Sequence, residues 1–184
     1  MSLAKRLFVF ALVIATTVMT MGLGSFSLAA GNYGAGSLLA LEGVDSAAVY
    51  YIGSDGMKYV FPDGKTYATW YDNFDDVVRV DVAELDMYTD NGTVTYRAGT
   101  KLVTHENTAK IYAVGPGGEL HWIPTGEVAE DLYGANWGAM VMDVIPGYFS
   151  SSYSTGTDLS DMYPDGALLQ MGETIYYVED GAKR

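Results

Sequence analysis

Two runs of β-branched and aromatic residues, Val49-Tyr-Tyr-Ile52 and Met57-Lys-Tyr-Val-Phe61, flank an Asp55-Gly56 pair. That arrangement predicts a β-hairpin, because a two-residue type I′ turn needs positive φ at both central positions. The expected register sets Ser54 against Met57, Ile52 against Tyr59 and Tyr50 against Phe61, with Tyr51 and Val60 on the opposite face. Both faces are then apolar, and the hairpin is expected to be covered on both sides. The phrase recurs at Ile111-Tyr-Ala-Val-Gly-Pro-Gly-Gly-Glu-Leu-His-Trp-Ile-Pro124 and begins again at Ile175-Tyr-Tyr-Val-Glu-Asp-Gly-Ala-Lys-Arg184. A phrase recurring at near-constant spacing implies units that bury their faces against neighbours, in an array rather than one closed globule.

Other landmarks keep step. The hairpins are offset by 111 − 49 = 62, the glycines opening each unit by 99 − 36 = 63 and 166 − 99 = 67. The expected fold class is therefore β-rich α+β, in tandem repeats of about 63–67 residues, each a strand, a β-hairpin, a short helix and a further strand. Residues 31–95 form repeat 1, 96–162 repeat 2, and 163–184 a partial repeat 3.

After Pro62, which cannot donate to a ladder, the period changes. Tyr67, Trp70, Tyr71 and Phe74 fall at helical spacing with Asp63 as N-cap. Thr125, with Val128, Ala129, Leu132 and Tyr133, predicts the matching second helix. Val77–Val82 and Met140–Ile145 are the expected strands, Asp90-Asn91-Gly92 a turn before the alternating Thr93–Arg97, and Ser150–Gly156 a loop.

Residues 1–30 form a separate zone. Lys5 and Arg6 precede an apolar run from Leu7 to Leu23, and small residues follow up to Ala30. These are the three parts of a secretory signal peptide, with cleavage expected after Ala29 or Ala30. An uncleaved anchor through residues 7–23 is the rival reading, since 17 residues is near the lower limit for a span. Without this zone the chain carries 8 Lys and Arg against 23 Asp and Glu, a net charge of 8 − 23 = −15. Such a surface repels phosphate backbones and anionic lipid, so nucleic acid is not an expected partner. There are no cysteines, which excludes disulfide-stapled folds and thiol chemistry.

The order of Tyr33-Gly-Ala-Gly36, the Val49–Pro62 hairpin, the Trp70-Tyr71 helix, Thr95-Tyr-Arg-Ala-Gly-Thr-Lys-Leu-Val103 and the Ile111–Pro124 hairpin resembles a known family. It is similar to the secreted tandem-repeat surface proteins of ultra-small, Parcubacteria-like candidate-phylum bacteria. The resemblance covers residues 33–184, implies a cell-surface role, and carries over no catalytic residue. Relatives complete the third hairpin, whereas here it ends at Lys183-Arg184.

Chemistry-bearing patterns are sparse. His121 takes the place of Tyr59 in the second hairpin and reads as a packing residue; His105 reads as solvated in a turn. No HExxH, GxSxG or Ser/His/Asp arrangement is present, and Gly115-Pro-Gly-Gly118 lacks the lysine and helix of a phosphate loop. Asp72, Asp75 and Asp76, with Asn73, offer several oxygens for a Ca²⁺ site outside EF-hand spacing; solvated turns are the plainer reading, and Asp158 and Asp161 read the same way. Trp70, Trp122 and Trp137 read as core, and Asn91-Gly-Thr93 is a glycosylation sequon.

The sequence thus points to a non-enzymatic extracellular structural protein: a self-assembling surface-layer or filament subunit or an adhesin. The alternative is a secreted carbohydrate- or cell-wall-binding module. The expected partner is a second copy, head to tail, through Gly166, Leu168, Ile175, Tyr176, Tyr177 and Val178 of the unfinished unit, because unpaired strand edges template another chain. No cofactor is expected beyond the possible Ca²⁺.

Overall fold

The structure, a computed structural model, describes residues 31–45, 47–105 and 108–184. The expected export segment, residues 1–30, lies outside the described residues. The chain is β-rich α+β, with three sheets and four short helices among the described residues. No described helix is long and apolar enough to cross a membrane.

The first sheet contains β1 (Leu38–Leu41), β2 (Val49–Ile52), β3 (Lys58–Val60), β4 (Val77–Val80) and β5 (Asp90–Thr93), in the order β4-β1-β2-β3-β5. The three central strands run antiparallel, and β4 and β5 join them in parallel at the two edges. Two helices complete this part, α1 (Gly64–Tyr67) and α2 (Val82–Leu85). The second sheet contains β6 (Leu102–His105), β7 (Ile111–Val114), β8 (Glu119–Ile123), β9 (Val141–Val144) and β10 (Ser154–Thr155). Its order, β10-β8-β7-β6-β9, has the same connectivity and strand senses as the first. Helices α3 (Gly126–Tyr133) and α4 (Pro146–Ser152) accompany it. The third sheet has only β11 (Leu168–Met171), β12 (Thr174–Glu179) and β13 (Ala182–Lys183).

Each five-stranded sheet is covered on both faces. In the first, Leu39, Ile52 and Val80 pack with Leu85 of α2 and Tyr88, while Leu38 and Phe61 pack with Tyr67 of α1. In the second, Leu102, Ala113 and Ile123 meet Ala129 and Leu132 of α3, while Val103, Val114 and Leu120 meet Tyr148 and Phe149 of α4. The helices are short but capped: Asp63 accepts from the Thr66 N–H at 2.7 Å and Thr125 Oγ1 from the Val128 N–H at 3.2 Å.

The first hairpin departs from its expected register. Tyr50 pairs with Val60, Tyr51 with Tyr59 and Ile52 with Lys58. Its loop is three residues long: the Gly53 N–H donates to the Met57 carbonyl, and Gly56 alone has positive φ, +75°. This is a turn followed by a left-handed bulge residue rather than a type I′ turn. A one-residue slip sends every β3 side chain to the other layer, so Lys58 lands on the Ile52 face and is 7% exposed. The second hairpin closes the same way, from Gly115 N–H to the Glu119 carbonyl, with Gly118 at φ +79°. The type I′ turn occurs in the third sheet, where Asp180 and Gly181 take φ 52° and 67°.

Three local expectations also change. The first helix ends at Tyr67 because the next N–H groups, of Thr69 and Trp70, fall to carbonyls three residues back. Tyr67 still stacks on Phe74, with ring centroids 4.3 Å apart, while Trp70 turns away from that cluster. Asp90–Gly92 is strand rather than turn, because the open edge of β3 captures it as β5. Within Ser150–Gly156, expected as a loop, Ser150–Ser152 end α4, which begins with Pro146 in its first turn, and Ser154–Thr155 form β10.

Candidate functional site

The third sheet repeats a hydrogen-bond pattern seen in the first. Gly36 N–H donates to Ile52 and Ile52 N–H to Ser37; Gly166 N–H donates to Val178 and Val178 N–H to Ala167. Leu168 therefore stands where Leu38 stands, each paired with a tyrosine, Tyr177 and Tyr51. Their surroundings differ. Leu38 is 3% exposed and Leu102, at the like position of the second sheet, 1%; Leu168 is 56% exposed. Ile175 and Met171 are also exposed. Leu38 lies under α1 and Leu102 under α3, whereas no described helix covers Leu168. The outer edge of β11, filled by β4 on β1 and by β9 on β6, has no partner among the described residues.

This divides the six residues expected to mediate assembly. Leu168, Ile175 and Tyr177 lie on the open face; Tyr176 is half-buried. Gly166 and Val178 are instead buried within the chain. Gly166 has φ +88° and lies so close to its neighbours that a Cβ there would sit 2.7 Å from Ala98 Cβ. A Cβ on Gly99 would sit 2.5 Å from the Gly166 carbonyl oxygen. Two glycines at this junction let the backbones leading into the second and third sheets meet directly.

Between the second and third sheets and the end of α1 lies a cleft of about 360 Å³, lined by Trp70, Arg97, the Pro116-Gly117-Gly118 tip, Leu168 and Tyr177. Trp70 is 40% exposed, and its indole Nε1–H donates to the Thr95 carbonyl at 2.8 Å, fixing the ring. The Arg97 guanidinium stands over that ring, 5.8 Å from its centroid. The Arg97 backbone is held by Thr69 Oγ1, which accepts its N–H at 3.1 Å. Trp70 is thus a wall of the cleft and not core; its helical spacing gave no hint, since only the early end of α1 frees it. Trp137 does pack against the second core, and Trp122 lies half-buried beneath Lys110, whose Nζ is 4.5 Å from its ring centroid.

A second, polar network lies at the first hairpin tip. Asp55 accepts from the Tyr59 hydroxyl at 2.6 Å, the Met57 N–H at 3.0 Å and the Asn91 amide at 3.2 Å. Those bonds hold its carboxyl below the usual range, the Tyr59 hydroxyl contributing most. The sequon asparagine is thereby tied to the turn.

The remaining candidates are placed as follows. Asp72, Asp75 and Asp76 are exposed, and Asn73 turns its side chain to the Asp75 N–H at 2.9 Å. Among the described residues no three Asp, Glu or His come together at metal-binding spacing. His121 is buried, its Nδ1 2.9 Å from the Thr157 carbonyl. His105 is not a solvated turn residue: it closes β6, with its ring 4.2 Å from that of Phe149. The chain matches no family model, no curated protein and no solved structure.

Proposed function

We propose that this chain is a non-enzymatic extracellular structural protein, built of tandem units and self-assembling through the open side of its third sheet. Two observations support the tandem reading: the shared strand order, and the pairing of Leu38 with Val77 and of Leu102 with Val141, 39 residues on in both cases (77 − 38 and 141 − 102). The observation that carries the assembly reading is the contrast at one position, 3% and 1% exposure for Leu38 and Leu102 against 56% for Leu168. Covering an exposed Leu or Ile side chain is worth roughly 1.5–3 kcal/mol, and the open β11 edge adds main-chain hydrogen bonds. A second copy is the occupant we favour. The paired residues of the open face, Leu168 with Tyr177 and Gln170 with Ile175, carry no charge, so an acidic neighbour can approach it. Head-to-tail contacts of this kind propagate into filaments or layers.

Sedimentation and electron microscopy of the exported form test this. Concentration-dependent oligomers are expected, and Ile175→Asp, at a 67% exposed position, should abolish them without unfolding the monomer. Oligomers that persist in Ile175→Asp and after removal of residues 163–184 would sink the reading, as would a wild-type protein monomeric at every concentration.

A further inference from the structure

The geometry points to the Trp70–Arg97 cleft as a binding site for an acidic saccharide, a sugar chain bearing uronic-type carboxylates. The site borders the surface on which assembly is proposed and shares Leu168 and Tyr177 with it, whereas Ile175 lies outside the cleft.

Three features of the cleft carry this. Trp70 offers a fixed, partly exposed aromatic surface, held by its hydrogen bond to the Thr95 carbonyl. Sugar rings lay their C–H faces on such surfaces, because the electron-rich ring attracts the weakly positive hydrogens. Tyr177, 43% exposed, adds a second aromatic to the lining. Arg97 supplies charge. Its guanidinium makes no ion pair among the described residues, and a planar fork matches a carboxylate in bidentate fashion.

The third feature is what the lining lacks. The chain has 23 acidic residues against 10 basic ones, yet no acidic residue lines this cleft. The cleft around His121, by contrast, is lined by Glu119, Asp158 and Asp165 and would repel a carboxylate. At about 360 Å³ the Trp70 cleft lies at the small end of ligand sites, about 300–1,000 Å³, so it fits a short stretch or an end of a glycan. The backbone around it is anchored: the Arg97 carbonyl accepts from Thr100 Oγ1 at 2.6 Å, and a Cβ on Gly118 would stand 2.7 Å from Thr95 Cγ2. Little conformational freedom is left to lose on binding.

Calorimetry of the purified protein with an oligogalacturonate, its methyl-esterified counterpart and a poly-glutamate peptide separates the contributions. The acidic sugar is expected to bind at least about tenfold more tightly than the ester, which has the same rings without the charges. Arg97→Gln should erase that preference while leaving the weaker, charge-independent binding. Trp70→Ala should remove binding of both sugars. Circular dichroism and melting of each variant report folding, and the Ile175→Asp protein, in which no neighbour shares the Leu168 and Tyr177 wall, should bind the sugar at least as tightly as the wild type. The proposal is overturned if neither sugar binds, if Arg97→Gln keeps the preference, or if poly-glutamate binds as tightly as the acidic sugar through Arg97, which would make the site one for acidic peptides.

Discussion

Lys58→Met gives the sharpest test of how this fold is held together. Lys58 sits in β3 at 7% exposure, on the Tyr50–Ile52 side of the sheet. Its Nζ donates to the carbonyls of Leu85 at 3.2 Å and Tyr88 at 2.7 Å, capping the C-terminal end of α2, where a positive charge also meets the helix dipole. Asp90, its ion-pair partner at 3.4 Å, is 78% exposed. Methionine keeps the stem packing and loses the ammonium. Hydrogen bonds from a charged donor contribute roughly 1.5–3 kcal/mol each, and the two carbonyls would be left without that donor. The longer bond belongs at the low end, so a loss of about 3 kcal/mol is expected. Asp90→Asn removes only a solvent-screened attraction and should cost less than about 1 kcal/mol. Urea unfolding of both variants, with unchanged slopes, measures the difference. Equal costs for the two, or a Lys58→Met cost below about 0.5 kcal/mol, would show that the charge pair or the stem, and not the capped carbonyls, accounts for this buried lysine.

Other consequences follow from the same packing. Alkali should loosen the packing on the second sheet: burial pushes the Tyr153 phenol up to about 12 from 10.0, although the Tyr96 N–H that it accepts pulls the other way, and burial raises Tyr133 as well. A raised folded value means stability that is complete below pH 10 and lost as pH climbs towards 12, up to about 3 kcal/mol from Tyr153. Ultraviolet phenolate absorbance should therefore rise together with loss of circular dichroism, and early ionisation of every tyrosine in a folded chain would contradict this. Gly99→Ala forces a Cβ within 2.5 Å of the Gly166 carbonyl oxygen at φ +72°, so the third sheet should loosen from the second and protease cleavage after residue 160 should quicken; an unchanged digestion pattern would argue against direct backbone contact.

The paired carbonyl contacts of Lys58 also show where sequence reading stops. Asp55-Gly56 marks a turn, and a turn is there, but loop length sets register and the residues permit both a two- and a three-residue loop. The choice is made by which side chains of β3 and of the residue after it the two flanking layers accept: Phe61 joins Leu38 and Tyr67, and Lys58 finds the carbonyls at the end of α2. The same limit applies to Trp70. Spacing groups it with Tyr67, Tyr71 and Phe74, and the early end of the helix detaches it. Edge strands β5 and β10 were equally hidden, because Asp90-Asn-Gly92 and Ser154-Thr155 have turn composition and become strand only where an open ladder receives them.

What the sequence alone determined is the local grammar: hairpins at Asp55-Gly56, at Gly115–Gly118 and, a third time, at Asp180-Gly181, the caps Asp63 and Thr125, strands within Val77–Val82 and Met140–Ile145 (found at Val77–Val80 and Val141–Val144, with Val82 instead opening α2), and a β-rich class. Each rests on interactions within a few residues, which side-chain shape and backbone preference decide. Only the tertiary structure decided register, which faces are covered, and that Leu168 lies open where Leu38 and Leu102 are closed. Those depend on contacts between residues distant in the chain, and burial is a property of what packs against a residue, which its own identity does not contain.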